Sequence, residues 1–288
     1  MPNYIQTLAG EALAIMPEKI DSLITASQIE ITGKVSAAQP QTGGTVVVLP
    51  LYGVITQKDN WLLQAFGGTS VETFGQWIDN AVNDKSVSTI VIDVNSPGGS
   101  VYGVSELSKK IYDARSKKKI IAVVNSLMAS AAAWIGTAAS KVFITPSGEA
   151  GSIGVISVHT EYSKAEESAG YKTTIIKAGK YKSEGNPHEP LSDESVSAIQ
   201  KRVDEYYAMF VSDLSRNRST SKVKAVFGEG RIMGAEESVK SDLVDGIATM
   251  DEVLSKELKK QKSKYSAAAE YIEKQARYLG RDSGLCKS

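Results

Sequence analysis

What the sequence lacks narrows the possibilities first. Its 288 residues include one cysteine, Cys286, so no intrachain disulfide can form. That suits a reducing compartment. The two histidines, His159 and His188, form no ligand cluster with it at useful spacing, and no metal is expected. Lysine plus arginine and aspartate plus glutamate each number 33, so overall charge selects neither nucleic acid nor an acidic surface as partner. No apolar run approaches the roughly 18 residues that would span a bilayer. No basic stretch precedes an apolar core at the start, and Glu11, Glu18 and Asp21 interrupt that region, so it is not read as a signal peptide. Gly98-Gly99 lacks the lysine and spacing of a phosphate loop, and no dinucleotide fingerprint follows a strand, so no cofactor is expected. The expectation is a soluble cytoplasmic protein.

What is present is organised around residues 125–134, NSLMASAAAW. A short apolar run, Ile120–Val124, reads as a buried strand, and the alanine-rich stretch to about Ala139 reads as a helix. Ser130 falls where that helix would begin. A serine there can be a plain N-cap. It can also be a nucleophile whose oxyanion is met by the unpaired N–H groups of the helix start.

The rest of the chain reads as strands alternating with helices. Glu11–Ala26 has helical apolar spacing, and Ser36–Gly44 is small and polar, so residues 1–43 read as a helical arm and linker. Thr45–Ile55 suits a buried strand. Gln57–Thr69 is a loop carrying Trp61, Leu62, Leu63 and Phe66, and Ser70–Asp84 is a helix with Ser70 as N-cap. Ser88–Val94 is a strand ending at the Asn95–Ser100 turn. A helix follows over Gly103–Lys118, then the Ile120–Val124 strand. Strands joined by short helical crossovers predict a parallel α/β sheet, whose ligand sites lie past the C-terminal strand ends. Further strands are expected at Val142–Thr145 and Lys172–Lys177. Ala178–Leu191 is a Gly/Pro loop, and Ser192–Asn217 is a long amphipathic helix. Residues 251–288 read as a charged helical tail, whose basic stretch Lys256–Lys264 suits a solvated face.

A serine nucleophile needs a proton acceptor within reach. His159 is one candidate. Lys180 and Lys182 are others, since a buried lysine can be neutral at working pH. An oxyanion hole needs two N–H donors aimed at one point. Ala131 supplies one, and the Gly98-Gly99 turn can supply the second, although such a turn is also ordinary connecting structure.

Together these residues resemble the S49 serine peptidases, which include signal peptide peptidase A and the head-maturation proteases of tailed phages. The resemblance rests on Val94–Ser100 (VNSPGGS), Met128–Ala132 (MASAA), Gly151–Val155 (GSIGV), Ala178–Lys182 (AGKYK), Gly234–Glu237 and Leu243–Gly246, in that order. It implies a ClpP/crotonase-like α/β fold, a superhelix of repeated ββα units, over residues 44–250. It also implies a Ser–Lys dyad: Ser130 as nucleophile, Lys182 as general base, Lys180 as a non-catalytic neighbour, and Ser152 as a hydroxyl orienting the lysine. Gly99, with Gly98 as alternate, and Ala131 would form the oxyanion hole. In single-length members the lysine comes from a neighbouring protomer, so the resemblance implies a homo-oligomer. Tyr52–Ile55, Gly67–Ser70 and Gly185–Pro190 are closer to phage members, which implies a protease of scaffold and capsid precursors. The alternatives are a signal-peptide-peptidase-like protease degrading peptides, a crotonase-type acyl-CoA enzyme without a serine nucleophile, and an inactive assembly factor.

Overall fold

The structure, a computed structural model, describes residues 12–18, 38–43, 45–59, 67–221 and 227–260, with residues 63, 223 and 263. Its strands are β1 (Leu13–Ile15), β2 (Gln41–Gly43), β3 (Val46–Thr56), β4 (Gly68–Ser70), β5 (Thr89–Ser100), β6 (Lys119–Ala129), β7 (Lys141–Ile144), β8 (Glu149–Gly151), β9 (Ile232–Gly234) and β10 (Gly246–Ile247). Its helices are α1 (Val71–Asn83), α2 (Val104–Ala114), α3 (Ala131–Gly136), α4 (Ser163–Ser168), α5 (Asp193–Arg218) and α6 (Ala235–Lys240). Residues 250–260 are helical as well.

The β-branched runs form the centre. β7, β6, β5 and β3 lie side by side and parallel, with β10 parallel beyond β7 and β2 antiparallel beyond β3. Both faces are covered, which is why these strands read as continuous apolar runs. Leu49, Ile92, Ala122 and their neighbours at alternate positions face the helices. Val46, Val91, Ile121 and Val123 face the other way, against Val253 of the 250–260 helix. Ser70 caps α1, accepting a 3.3 Å hydrogen bond from the Thr73 N–H.

The long strands are each two strands laid end to end. β3 slips register between Tyr52 and Val54, and β5 does so between Val94 and Ser96. Beyond the slip the partners change: the end of β3 takes up β4, and Leu127–Ala129 of β6 takes up β8, which pairs with β9. Each two-part strand then feeds α1, α2 or α3. This is the repeated ββα organisation of the expected α/β class.

Four local expectations change. Asn95–Ser100 is not a turn but the second half of β5, because its backbone still has strands to pair with on both sides. Leu13–Ile15, inside the segment with helical spacing, is a strand paired antiparallel to Ser100–Gly98. The remainder of that segment, from residue 19, lies outside the described residues. Gln41–Gly43, read as linker, is a strand on the edge of β3. Lys172–Lys177 is not a strand: its alternation has no partner strand among the described residues, and Ile176 is 96% exposed. Trp61, Leu62, Phe66, Cys286 and the tail beyond residue 263 lie outside the described residues, whereas Leu63 is buried.

α5 holds the helical layer in place. Asp213 accepts hydrogen bonds from Trp134 Nε1 (2.7 Å) and Ser105 Oγ (2.6 Å) and pairs with Arg216 (2.7 Å). Asn217 donates to Ser108 Oγ (3.0 Å) and Thr137 Oγ1 (3.3 Å). The Trp134 ring stacks on Phe210 at 4.4 Å. One turn of α5 thereby ties α2 to α3. Removing the carboxylate strands a buried indole N–H and a guanidinium, so Asp213→Ala should lower unfolding free energy by about 2–4 kcal/mol. The exposed Lys110–Asp79 pair sets the control: Lys110→Ala should cost less than about 1 kcal/mol. Urea denaturation of the three proteins checks both.

Candidate active site

β5 and β6 pair for the last time at Ser96–Met128. Past that point β5 runs on to Ser100, while β6 turns at Ser130 into α3. Ser130 makes the turn at φ 55°, ψ −118°, a conformation side chains other than glycine rarely adopt. Such strain costs on the order of 1–3 kcal/mol and gathers at functional sites. Its N–H is anchored to Gly151 O at 2.8 Å. Its hydroxyl does not cap α3; it makes a long 3.4 Å contact to Gly154 O. The cap reading therefore fails: the hydroxyl turns away from the helix and donates a long hydrogen bond to Gly154 O. The alanines that follow are fully buried. Ala131, first in α3, has an N–H with no intrahelical acceptor.

The second half of β5 forms the opposite wall. A Cβ on Gly98 would stand 3.0 Å from the Ala131 nitrogen and 2.2 Å from Ala14 O, so only glycine leaves this space open. A Cβ on Gly99 would stand 1.9 Å from Ile55 O, so glycine there lets β5 pack against β3. The two N–H groups differ. That of Gly98 donates to Ser96 Oγ at 3.1 Å, and Ser96 Oγ in turn donates to Gly53 O at 2.6 Å. That of Gly99 faces the gap left by β6. Ser96 lies inside the VNSPGGS motif, and its role is visible only once β3 and β5 lie side by side.

That gap is filled by β1. Met16 N–H donates to Pro97 O at 3.0 Å, and Val101 N–H donates to Ala12 O at 3.4 Å. On its far side, Leu13 and Ile156 exchange hydrogen bonds of 2.8 and 2.9 Å. Ser130 is left 1% exposed.

The structure thus brings together Ser130, Ala131, Gly98 and Gly99. Ser152 lies beside them: it follows Gly151, is buried, and holds φ 54° with its N–H on Arg231 O at 2.7 Å. Lys182 is not brought to Ser130 within one chain; it is exposed on the 178–191 loop, its N–H bonded to Gly179 O at 3.2 Å. Hydrogen bonds to Tyr181 and Glu194 hold the Lys180 ammonium above its ordinary pKa, opposite to what a general base needs. His188 pairs with Glu166 at 2.6 Å, whereas Nε2 of His159 is buried without a hydrogen-bond partner. Among the described residues no group of acidic, histidine or cysteine side chains could hold a metal ion.

The strain at Ser130 is testable apart from any chemistry. Ser130→Gly should stabilise the fold by about 1 kcal/mol, the relieved strain being partly offset by added freedom in the unfolded chain. Ser130→Ala should not. Thermal melts of the two variants check this.

Comparison with known proteins gives the family of the chain. The model of Peptidase family S49 matches residues 112–264, a little over half of the chain. The chain is 28% identical to the Capsid assembly protease C of Escherichia phage lambda, over 77% of this chain and 51% of that protein. It is 30% identical to a putative signal peptide peptidase SppA of Enterococcus faecium, over 78% of this chain and 66% of that one. It is 26% identical to Protease 4 of Salmonella typhi, over 75% of this chain and 34% of that one. The chain spans about half the length of the curated relatives it matches first. From the matched segment, which contains the strained serine and the strands that flank it, the chain belongs to peptidase family S49.

Proposed function

We propose that the chain is a serine endopeptidase acting through Ser130 and Lys182. What supports this is Ser130 itself, buried at a strained turn with a hydroxyl that does not cap α3, beside the Ala131 nitrogen and the Gly98–Gly99 backbone. Neutral Lys182 removes the proton from Ser130 Oγ as it attacks the scissile carbonyl, and the two N–H groups hold the oxyanion. The leaving amine takes the proton. Water, activated by the same lysine, then releases the acyl group. Ser152 orients the lysine.

Lys182 of one chain serves Ser130 of a neighbour. Two observations support this: Lys182 is exposed within its own chain, and the preceding Lys172–Lys177 segment carries an exposed Ile176 and pairs with no strand among the described residues. The phage-type motifs, with the similarity to a capsid assembly protease, favour scaffold and capsid precursors as substrates. Among the described residues no helix is long and apolar enough to cross a membrane.

Intact-mass spectrometry after incubation with a fluorophosphonate should show one adduct on the wild type and none on Ser130→Ala or Lys182→Ala. Peptidase activity should fall by about 10³–10⁴-fold in each. His159→Ala should retain activity; loss there with Lys182→Ala unaffected would move the base to His159. Mixing Ser130→Ala with Lys182→Ala should restore part of the activity, because mixed oligomers pair an intact serine with an intact lysine. No recovery in oligomers shown to mix would place both groups in one chain.

A further inference from the structure

We propose that the gap over Ser130 is a cleft for extended peptides with small side chains, and that residues 12–16 hold it shut by binding as a peptide would. This rests on reading Ser130 as the nucleophile, and extends it to what the cleft accepts and what controls it.

The backbone pattern is that of an added strand. Hydrogen-bonded pairs in an antiparallel ladder alternate. With Val101 bonded to Ala12 and Met16 to Pro97, the intervening bonded pair is Ala14 with Gly99. The Ala14 carbonyl therefore takes the Gly99 N–H, and it lies against the same Gly98 face that the Ala131 nitrogen approaches. Those are the two donors assigned to the oxyanion. β1 has walls on both sides, Gly98–Ser100 and Ile156, so it fills a slot rather than extending an open edge.

The side chains state a preference. Successive residues of a strand face opposite ways. Ala12 and Ala14 turn into the main core, where both are buried, a setting that favours small side chains at these two positions. The segment reads Ala-Leu-Ala-Ile. A peptide entering the cleft would carry small residues at the position whose carbonyl meets the two donors and at the second position before it.

The test uses full-length chain carrying Ser130→Ala, so that nothing turns over. Fluorescence anisotropy would measure binding of a labelled peptide copying residues 11–18, and of a second peptide with arginine at the position of Ala14. Ala14→Arg and Leu13→Pro, added singly, expel the strand by different means; circular dichroism and melting confirm that each variant is folded. Expelling the strand should raise affinity for the first peptide at least about tenfold, since occupancy by the tether divides the apparent affinity. The arginine peptide should stay unbound. Equal affinity with and without the strand variants, or no binding to any folded variant, would overturn the proposal. So would equal binding of both peptides. Fluorophosphonate labelling of the same strand variants with Ser130 restored separates the two readings. Peptide binding without labelling would remove the nucleophile and leave the cleft; labelling without binding would do the reverse.

Discussion

The site exists because β5 and β6 cannot stay paired. Between the pairs Val94–Val124 and Ser96–Met128, β5 has one residue and β6 has three. The surplus bends the two strands apart, as bulges do. Polar contacts secure the bend on the face away from the helices. Ser126 Oγ donates to Asn95 Oδ1 at 2.7 Å, and the Tyr52 hydroxyl donates to Asp93. Burial pushes the Asp93 carboxyl above its usual range, with Tyr52 and Asn125 opposing that shift. A buried carboxyl so placed favours protonation in the fold, and therefore loses stability as pH rises through its folded pKa. It is retained at a cost, which suits a residue holding a bend rather than one chosen for stability.

A parted pair of strands would be loose without a second support. α3 is only six residues long and begins at the strained serine. Short helices have little intrinsic stability, so its position comes from packing. Trp134 supplies it, stacked on Phe210 and hydrogen-bonded to Asp213 of α5. The Ala131 N–H is thus aimed by a helix whose other end is pinned from 79 residues away in sequence. The strain at Ser130 persists because Gly151 holds its N–H on one side and α5 holds its helix on the other.

The sheet was legible because it obeys the simplest rule: apolar runs between amphipathic helices give parallel strands. Ser130 was legible as a strand end followed by alanines. What was not legible depended on partners distant in sequence. Asn95–Ser100 looks like a turn by composition, yet β1 and β3 supply it with backbone partners. Leu13–Ile15 has helical spacing with its neighbours, but three residues can be claimed by a slot that offers hydrogen bonds on both sides. Lys172–Lys177 is the converse, a segment with strand composition and no partner strand among the described residues. The difference between the Gly98 and Gly99 N–H groups is not visible in the motif either. It turns on Ser96, whose hydroxyl is committed to both Gly98 N–H and Gly53 O.

The gap between β5 and Ile156 imposes its own demand. Its walls present the carbonyl of Pro97 and the N–H groups of Gly99, Val101 and Ile156, all in a largely buried setting. Buried backbone groups left without partners cost as much as lost hydrogen bonds. Whatever fills the gap must therefore be extended and must carry alternating donors and acceptors on both edges. That is a peptide strand, and few small molecules meet the condition. Affinity from backbone pairing is largely blind to sequence, so selectivity falls to the side chains that point inward. There the wall is built of alanine, glycine and the core itself, which excludes by size. The same construction explains why a segment of the chain itself can occupy the site: it needs only to be extended, within reach, and small at alternate positions, as Ala12 and Ala14 are.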